Sequence, residues 1–412
     1  MSLLQVQSAL GLAALAALAW GLGGFRRGVP WRAVALGLGL QVALAAALLH
    51  LPPVRAAFAA VGAAVNALAA ATDAGTSLVF GHLGGGPLPY AEVAPGASYV
   101  LAFRALPIVL VVGALSAVLY HWRVLPALVA LMARMLTRLF GISGAAGFAT
   151  AANVFLGMVE APLLVKPWLA RLPRAELLVV MTAGLATISG NMLVVYTLMI
   201  APVVPDAAGQ LLTASLISAP AAVVCAMLML PRPPAEAAAP MQAPRLYEGT
   251  LDALVRGTAE GLTLLLGIVA TLIVFVALVA LANLALEPLT GVTLQRIAGV
   301  LFWPLALAMG VPAAEAGTVA ASLGLKTVVN EFVAYLGLAT GNLGLSGRST
   351  LVLTYALCGF TNLGSLGIML GGLAAMCPER RADILGLGLP ALAAATIACC
   401  MTGATVGLLT PP

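Results

Sequence analysis

The chain is 412 residues long, 62% hydrophobic and only 8% charged, with a mean hydropathy of +1.10. A soluble domain carries about a quarter charged residues, so this composition cannot cover a water-facing surface. Its 19 Lys and Arg against 14 Asp and Glu are too few to line a nucleic-acid groove; they read instead as the loop charges of an all-α polytopic membrane protein.

Five cysteines, Cys225, Cys358, Cys377, Cys399 and Cys400, lie in apolar runs or at their edge. They read as small buried residues rather than a disulfide framework. The opening 1–6 lacks the basic stretch of a signal peptide, so the first apolar run is expected to remain as a span.

About 20 apolar residues cross the hydrocarbon core. Spans are expected at 3–21, 33–51 and 99–120. Between the second and third, 55–81 is Ala-rich and sets Phe58, Val61, Val65 and Leu68 on one helical stripe, with Asn66 and Asp73 off it. That pattern predicts a helix lying along the membrane surface. Segment 124–140 carries Arg134 and Arg138 among Leu and Met, which predicts an interfacial helix. The apolar stretch 151–170 contains Glu160 and is expected to break at Pro162 and Pro167. Spans follow at 177–200 and 211–230, then a Pro/Ala-rich linker at 231–244 and a sixth span at 262–286. A second interrupted stretch, 321–340, contains Glu331 and is expected to break at Gly324 and Gly337, ahead of spans at 350–374 and 384–408. The tally is eight spans and two re-entrant hairpins.

Loop charge sets the orientation. Arg26, Arg27 and Arg32, then Arg123, Arg134 and Arg138, then Arg232, Arg245 and Arg256, then Arg380 and Arg381 all fall on one side if the spans alternate. The other side receives Arg55, Arg296 and Arg348. Both termini are therefore expected outside.

A carboxylate at membrane depth is costly and marks a functional site by default. The competing reading pairs Glu160 with Lys166 and Glu331 with Lys326 to hold each hairpin shut. Both hairpins are followed by a glycine-rich polar span (GLATISGNMLVVYTLMI at 184–200, GFTNLGSLGIML at 359–370) and one plain span. The order occurs twice, with an odd number of crossings between copies, which is the inverted-repeat plan of secondary transporters. Asn153, Thr187, Ser189, Asn191, Glu331, Asn362 and Ser365 gather at the breaks. Such hydroxyls, amides and carboxylates suit a polyhydroxylated, uncharged solute, and unwound carbonyls beside Asn and Thr oxygens suit a hard monovalent cation such as sodium. No HExxH, Walker or GxSxG pattern is present, and His50, His82 and His121 sit near span ends. Nothing here points to an enzyme or a bound cofactor.

GLKTVVNEFVAY (324–335), FLGMVEAPLLVKP (155–167), GLATISGN (184–191), ALCGFTNLGS (356–365) and ASLISAP (214–220) together resemble the concentrative nucleoside transporter family, from about residue 53 to the end. The resemblance implies a homotrimeric inner-membrane symporter moving nucleosides inward down a cation gradient. Units 1–123 and 231–290 would be scaffold holding the trimer in the bilayer; units 124–230 and 291–412 would be the mobile transport halves. It places Glu331, Asn362 and Ser365 on ribose hydroxyls, Phe360 near sugar and base, Met192 on the pocket wall, and the tip residues Met158, Val159 and Glu160 at the base. The sodium position falls on the Asn153 and Thr187 side chains with the carbonyls of Leu156 and Ile188. The family tip reads Gly-Gln-Thr/Ser-Glu, whereas here it is Gly157-Met158-Val159-Glu160, so two polar base contacts have become apolar. Alternatives are proton coupling through Glu160 or Glu331, a different nucleoside-like solute, and a non-transporting membrane sensor or assembly protein on the same fold.

Overall fold

The structure, a computed structural model, describes residues 2–92, 98–231 and 243–411 and, among them, is helical without strands. Most of the expected linker, 232–242, lies outside the described residues. Helices α1 (Leu3–Leu22) and α2 (Trp31–His50) come first. In α1 a reciprocal box between Ser2 and Gln5 satisfies N-terminal donors that a helix end otherwise leaves open. Next is α3 (Pro52–Phe80), started by proline where the missing N–H costs nothing. Its predicted stripe is inward, with Phe58 and Val65 buried and Asn66 and Asp73 exposed. A short turn, α4 (Leu101–Arg104), leads into α5 (Ile108–His121) and α6 (Val124–Phe140). The last is the amphipathic helix read from the sequence: Val129, Ala133, Leu136 and Phe140 are buried, Arg134 and Arg138 exposed.

The first hairpin is α7 (Gly144–Asn153), α8 (Glu160–Leu163) and α9 (Lys166–Leu169). A span broken at 187–189 follows as α10 (Arg174–Ala186) and α11 (Gly190–Ile200), then the plain span α12 (Ala207–Met229). The second half runs α13 (Thr250–Thr290), α14 (Leu294–Ala308), α15 (Ala313–Val328), α16 (Glu331–Ala339), α17 (Gly347–Leu357), α18 (Leu363–Met376) and α19 (Arg381–Leu409).

Three sequence expectations need correction. Eight helices among the described residues, 52–84 among them, are long and apolar enough to cross a membrane by length and composition. First, the seventh span expected at 350–374 is not one continuous helix: it unwinds at 358–362 into two helices of 11 and 14 residues. Second, the hairpins do not break at the named residues. Pro162 and Pro167 sit in the first turns of α8 and α9, where proline is tolerated, and Gly324 and Gly337 lie inside α15 and α16. The breaks are at 154–159 and 164–165 in the first hairpin and at 329–330 in the second, the last closed by Asn330, whose side chain accepts from the Val333 N–H at 3.0 Å. Third, α14 is an additional amphipathic helix. Gly324 serves its crossing with α15, since a Cβ there would overlap that of Ala298.

The repeat is longer than the sequence suggested. Span, amphipathic helix, hairpin, broken span and plain span occur as α5, α6, α7–α9, α10–α11, α12 and again as α13, α14, α15–α16, α17–α18, α19. A Ser–Glu clasp recurs in both copies. Glu176 in the first turn of α10 accepts from the N–H and hydroxyl of Ser143, which caps α7, at 2.7 and 2.5 Å. Glu315 in the first turn of α15 accepts from the N–H and hydroxyl of Ser346, which caps α17, at 3.3 and 2.9 Å.

At the centre, α12 and α19 are largely buried and pack on each other, and α1 and α2 pack on them. The packing thus groups α1 and α2 with the repeat cores rather than with α5, unlike the unit drawn at 1–123. The equivalent spans α5 and α13 pair through small residues, a close-contact device of membrane helices. A Cβ on Gly257 would stand 2.6 Å from the Ala117 Cβ, and one on Gly261 3.0 Å from the Leu110 Cα. Elsewhere α13 is exposed along most of its 41 residues. At about 1.5 Å per residue it is about 60 Å long, twice the hydrocarbon thickness.

Arg348, at the start of α17, is buried and donates to the Thr410 carbonyl, to the Leu4 carbonyl at 3.3 Å and to Ser8 Oγ at 3.2 Å. The chain's two ends and the start of α17 therefore meet at one end of the molecule, as alternation of the spans requires.

Candidate functional site

Glu331 opens α16, directly after the capping Asn330. Its carboxylate is buried; Oε1 accepts from the Tyr196 hydroxyl at 2.8 Å and Oε2 from Asn362 Nδ2 at 2.7 Å. Asn362 is itself the cap of α18, with Oδ1 accepting from the Ser365 N–H at 2.7 Å. One carboxylate thus ties together the second hairpin, the break in the second repeat and α11 of the first repeat. Both α16 and α18 present their N-termini to it, where a negative charge is favoured by roughly 0.3–1 kcal/mol per helix. An ionised carboxylate has about four acceptor positions, so two are taken by protein and two remain for donors such as sugar hydroxyls. Ser365 and Phe360 are buried beside Asn362 in the chain, and Met192 is buried in the first turn of α11.

Tyr196 carried no signal in the sequence, being one aromatic residue in an apolar run 135 residues from its partner. Its ring lies 4.6 Å from that of Tyr335 and 6.1 Å from that of Phe332. Lys326 is not the partner of Glu331: its Nζ donates to the Ala356 carbonyl at 2.9 Å, at the end of α17. Lys166 is exposed at the start of α9, and no Glu160 ion pair exists among the described residues. The hairpin-brace reading therefore fails for both lysines.

At the first hairpin tip, Glu160 is solvent-accessible and folds back over Gly157, where a Cβ would collide with its carboxylate. Met158 packs on α10: a Cβ on Gly184 would lie 3.1 Å from the Met158 Cβ. Val159 packs on α18, with its methyls 3.1 and 3.2 Å from the Cβ position of Gly372. The tip therefore bridges the broken spans of the two repeats through apolar contacts.

Deeper in the first repeat, Asn153 ends α7 and is buried, yet neither its Oδ1 nor its Nδ2 has a partner. Buried polar side chains are nearly always paired. Thr187, in the break of the fourth span, donates its hydroxyl to the Asn153 carbonyl at 3.2 Å and the Ala183 carbonyl at 2.9 Å. The structure thus brings Asn153 and Thr187 together, with Ile188 buried next in the chain and Leu156 half-buried. An orphaned amide oxygen, a hydroxyl with free lone pairs and an unwound backbone are hard oxygen donors. They fit a desolvated alkali cation and offer nothing to a thiophilic metal.

The C-terminal part of the chain, residues 210–407, matches the family described as Na+ dependent nucleoside transporter C-terminus. Residues 10–83 match the N-terminal part of that family, and 102–203 match a nucleoside recognition (Gate) family. The nucleoside permease NupC of Helicobacter pylori is 30% identical over 97% of this chain and 97% of its own. An uncharacterized transporter of Haemophilus influenzae is 34% identical over 98% and 97%. Human solute carrier family 28 member 3 is 33% identical over 92% of this chain, which spans 56% of that longer protein. The solved structure of CNTnw in an inward-facing substrate-bound state superposes with a TM-score of 0.91 at 34% identity, covering all of both chains.

Proposed function

Because the chain belongs to the Na+ dependent nucleoside transporter family, a family of transporters and not of enzymes, we propose that it is a sodium-coupled symporter that imports nucleosides. The observation that carries the coupling is the orphaned, buried side chain of Asn153 beside the unwound end of α10. In this reading a sodium ion is held by the Asn153 and Thr187 side chains and the Leu156 and Ile188 carbonyls. It joins the first hairpin to the fourth span. The solute's ribose hydroxyls donate to the two open acceptor positions of Glu331, with Asn362 and Ser365 alongside. Phe360 and Met192 supply apolar contact, and Met158, Val159 and Glu160 meet the base.

Filling both sites lets the hairpins and broken spans move as one body, with α1 and α2 carried along because they pack on α12 and α19. The α5–α13 pair, with α3, is the stationary frame. The long apolar face of α13 is available to lipid and to the other copies of a homotrimer in a bacterial inner membrane, both termini periplasmic.

The test is uptake of labelled uridine and adenosine into proteoliposomes under imposed sodium or pH gradients. Accumulation above equilibrium driven by sodium supports the reading. Uptake driven by pH and indifferent to sodium assigns coupling to Glu160 or Glu331 instead. Failure to accumulate either nucleoside favours a different nucleoside-like solute, the reading to which the altered Met158-Val159 tip lends weight, or a sensor.

A further inference from the structure

Each repeat carries an amphipathic helix between its first span and its hairpin, α6 in the first and α14 in the second. Each is followed by a glycine in the left-handed region, Gly141 at φ 64° and Gly310 at φ 80°, a conformation that glycine adopts without strain. Matching these glycines sets the two helices in register. The buried positions coincide: Val129 with Ala298, Ala133 with Phe302 and Phe140 with Met309. So do exposed ones, Leu128 with Ile297 and Leu131 with Val300. At 1.5 Å per residue neither helix exceeds about 25 Å, too short to cross the hydrocarbon. One face packed on protein and one left open suits the membrane interface.

The open faces differ at the end nearer the glycine. On α14 they stay apolar, with Trp303 exposed and Leu307 half-buried. On α6 the same two places hold Arg134 and Arg138, both exposed. The one basic residue of α14, Arg296, lies at its opposite end. Four residues apart, Arg134 and Arg138 share one face with their Cβ atoms about 6 Å apart. Among the described residues neither has an ion-pair partner. Trp122, exposed just before α6, is the residue type that settles at headgroup depth. Inverted repeats put α6 and α14 on opposite membrane surfaces, and loop charge puts α6 on the cytoplasmic one. That surface carries the negative potential of anionic lipids, and a guanidinium takes a phosphate in a two-bond fork.

We propose that the exposed face of α6 is a docking site for an anionic phospholipid of the inner leaflet. Arg134 and Arg138 hold the headgroup phosphate, and an acyl chain lies along Leu131 and Leu128. This rests on the orientation given above, with both termini periplasmic. The lipid sits behind the face that carries the first hairpin: a Cβ on Gly147 of α7 would collide with Thr137 Oγ1 and stand 3.3 Å from the Ala133 carbonyl oxygen.

The five native cysteines are buried, so a bimane label on Ala127→Cys, exposed on α6, reports on this face alone. The labelled protein is placed in phosphatidylcholine vesicles. Nitroxide-bearing phosphatidylglycerol or nitroxide-bearing phosphatidylcholine is then added in steps to quench the label. One basic side chain at an anionic surface is favoured about fivefold. Half-maximal quenching should therefore need at least about fivefold less phosphatidylglycerol than phosphatidylcholine. With Arg134→Gln and Arg138→Gln together the ratio should fall to about one, and the unfolding temperature should hold because both side chains are exposed. Equal quenching in the parent, or a preference that survives the double substitution, would overturn the proposal. So would protection of the label from both lipids, which would show the face covered by another copy of the chain. Orientation is read separately, from an impermeant maleimide on Arg27→Cys in the exposed loop between α1 and α2. Reaction from the cytoplasmic side is expected. Reaction from the periplasmic side would overturn the orientation and the inner-leaflet assignment with it, whereas the quenching ratio decides the arginine site itself.

Discussion

Replacing Glu331 by Gln changes one oxygen to an NH2 group and removes a charge, and the structure limits how the amide can sit. Asn362 Nδ2 is a donor and cannot turn over, because its Oδ1 caps Ser365. The glutamine oxygen must therefore face Asn362, which points its NH2 at Tyr196. The tyrosine hydroxyl then has to accept where it now donates. Two charge-assisted bonds become neutral ones, at about 1 kcal/mol each. Of the two acceptor positions open to solute, one remains, and the other now carries a donor that opposes a sugar hydroxyl. The loss on the solute side is about 2–4 kcal/mol for two hydroxyls, or roughly 30- to 1000-fold in affinity. Uptake should fall below detection at micromolar nucleoside while the protein remains folded and assembled by size-exclusion chromatography. Calorimetric titration with uridine measures the affinity directly. Uptake within a few fold of the parent would show that Glu331 only braces the hairpin against α11 and α18.

The same geometry sets three further expectations. Asn153→Ala removes a side chain with no partner in the protein, so the unfolding temperature should hold while the sodium concentration for half-maximal uptake rises by about tenfold or more, one lost ligand being worth over 1.4 kcal/mol; an unchanged sodium titration contradicts the assignment. The Met158 and Val159 side chains offer no hydrogen bonds to a base edge. Competition against labelled adenosine should therefore show uridine, cytidine and inosine of similar strength and free ribose far weaker, and a strong preference for one pyrimidine would contradict this. Gly11→Ala places a methyl into the Ala308 carbonyl; overpacking of this kind costs about 1–3 kcal/mol, and an unchanged unfolding temperature would mean that α1 sits farther from α14.

What the sequence made legible was what broke the apolar pattern. Two arginines in a short apolar run identified α6, and two glutamates at membrane depth marked both hairpins and the repeat. Break positions were harder. Proline and glycine attract attention, but here Pro162 and Pro167 enter first turns without disturbing them, and Gly324 serves a helix crossing. The breaks are made by side chains that cap the next helix, Ser189, Asn330 and Asn362, and a polar residue in an apolar run does not announce that role. Helix α14 was hidden because it continues an apolar stretch, with Gln295 and Arg296 only at its start. Glu331 and Asn362 stood out individually; Tyr196, which completes their contact, did not, since long-range pairing leaves no local trace. The separate fates of Lys326 and Glu331, only five residues apart, were likewise decided by tertiary packing.

The close seat of α1 has a consequence for the order of assembly. Gln7 donates to the Leu307 and Val311 carbonyls, Ser8 to that of Met309, and Gly11 allows the Ala308 backbone to approach; Arg348 adds the last link to Thr410. Every partner of this polar, small-residue face is made some 300 residues later, about 15–60 s at ordinary synthesis rates. During that interval α1 lies in the bilayer with Gln7 and Ser8 facing lipid or borrowed contacts. Its final position is reached only when the second repeat arrives, so a helix made ahead of both repeats is among the last to be locked.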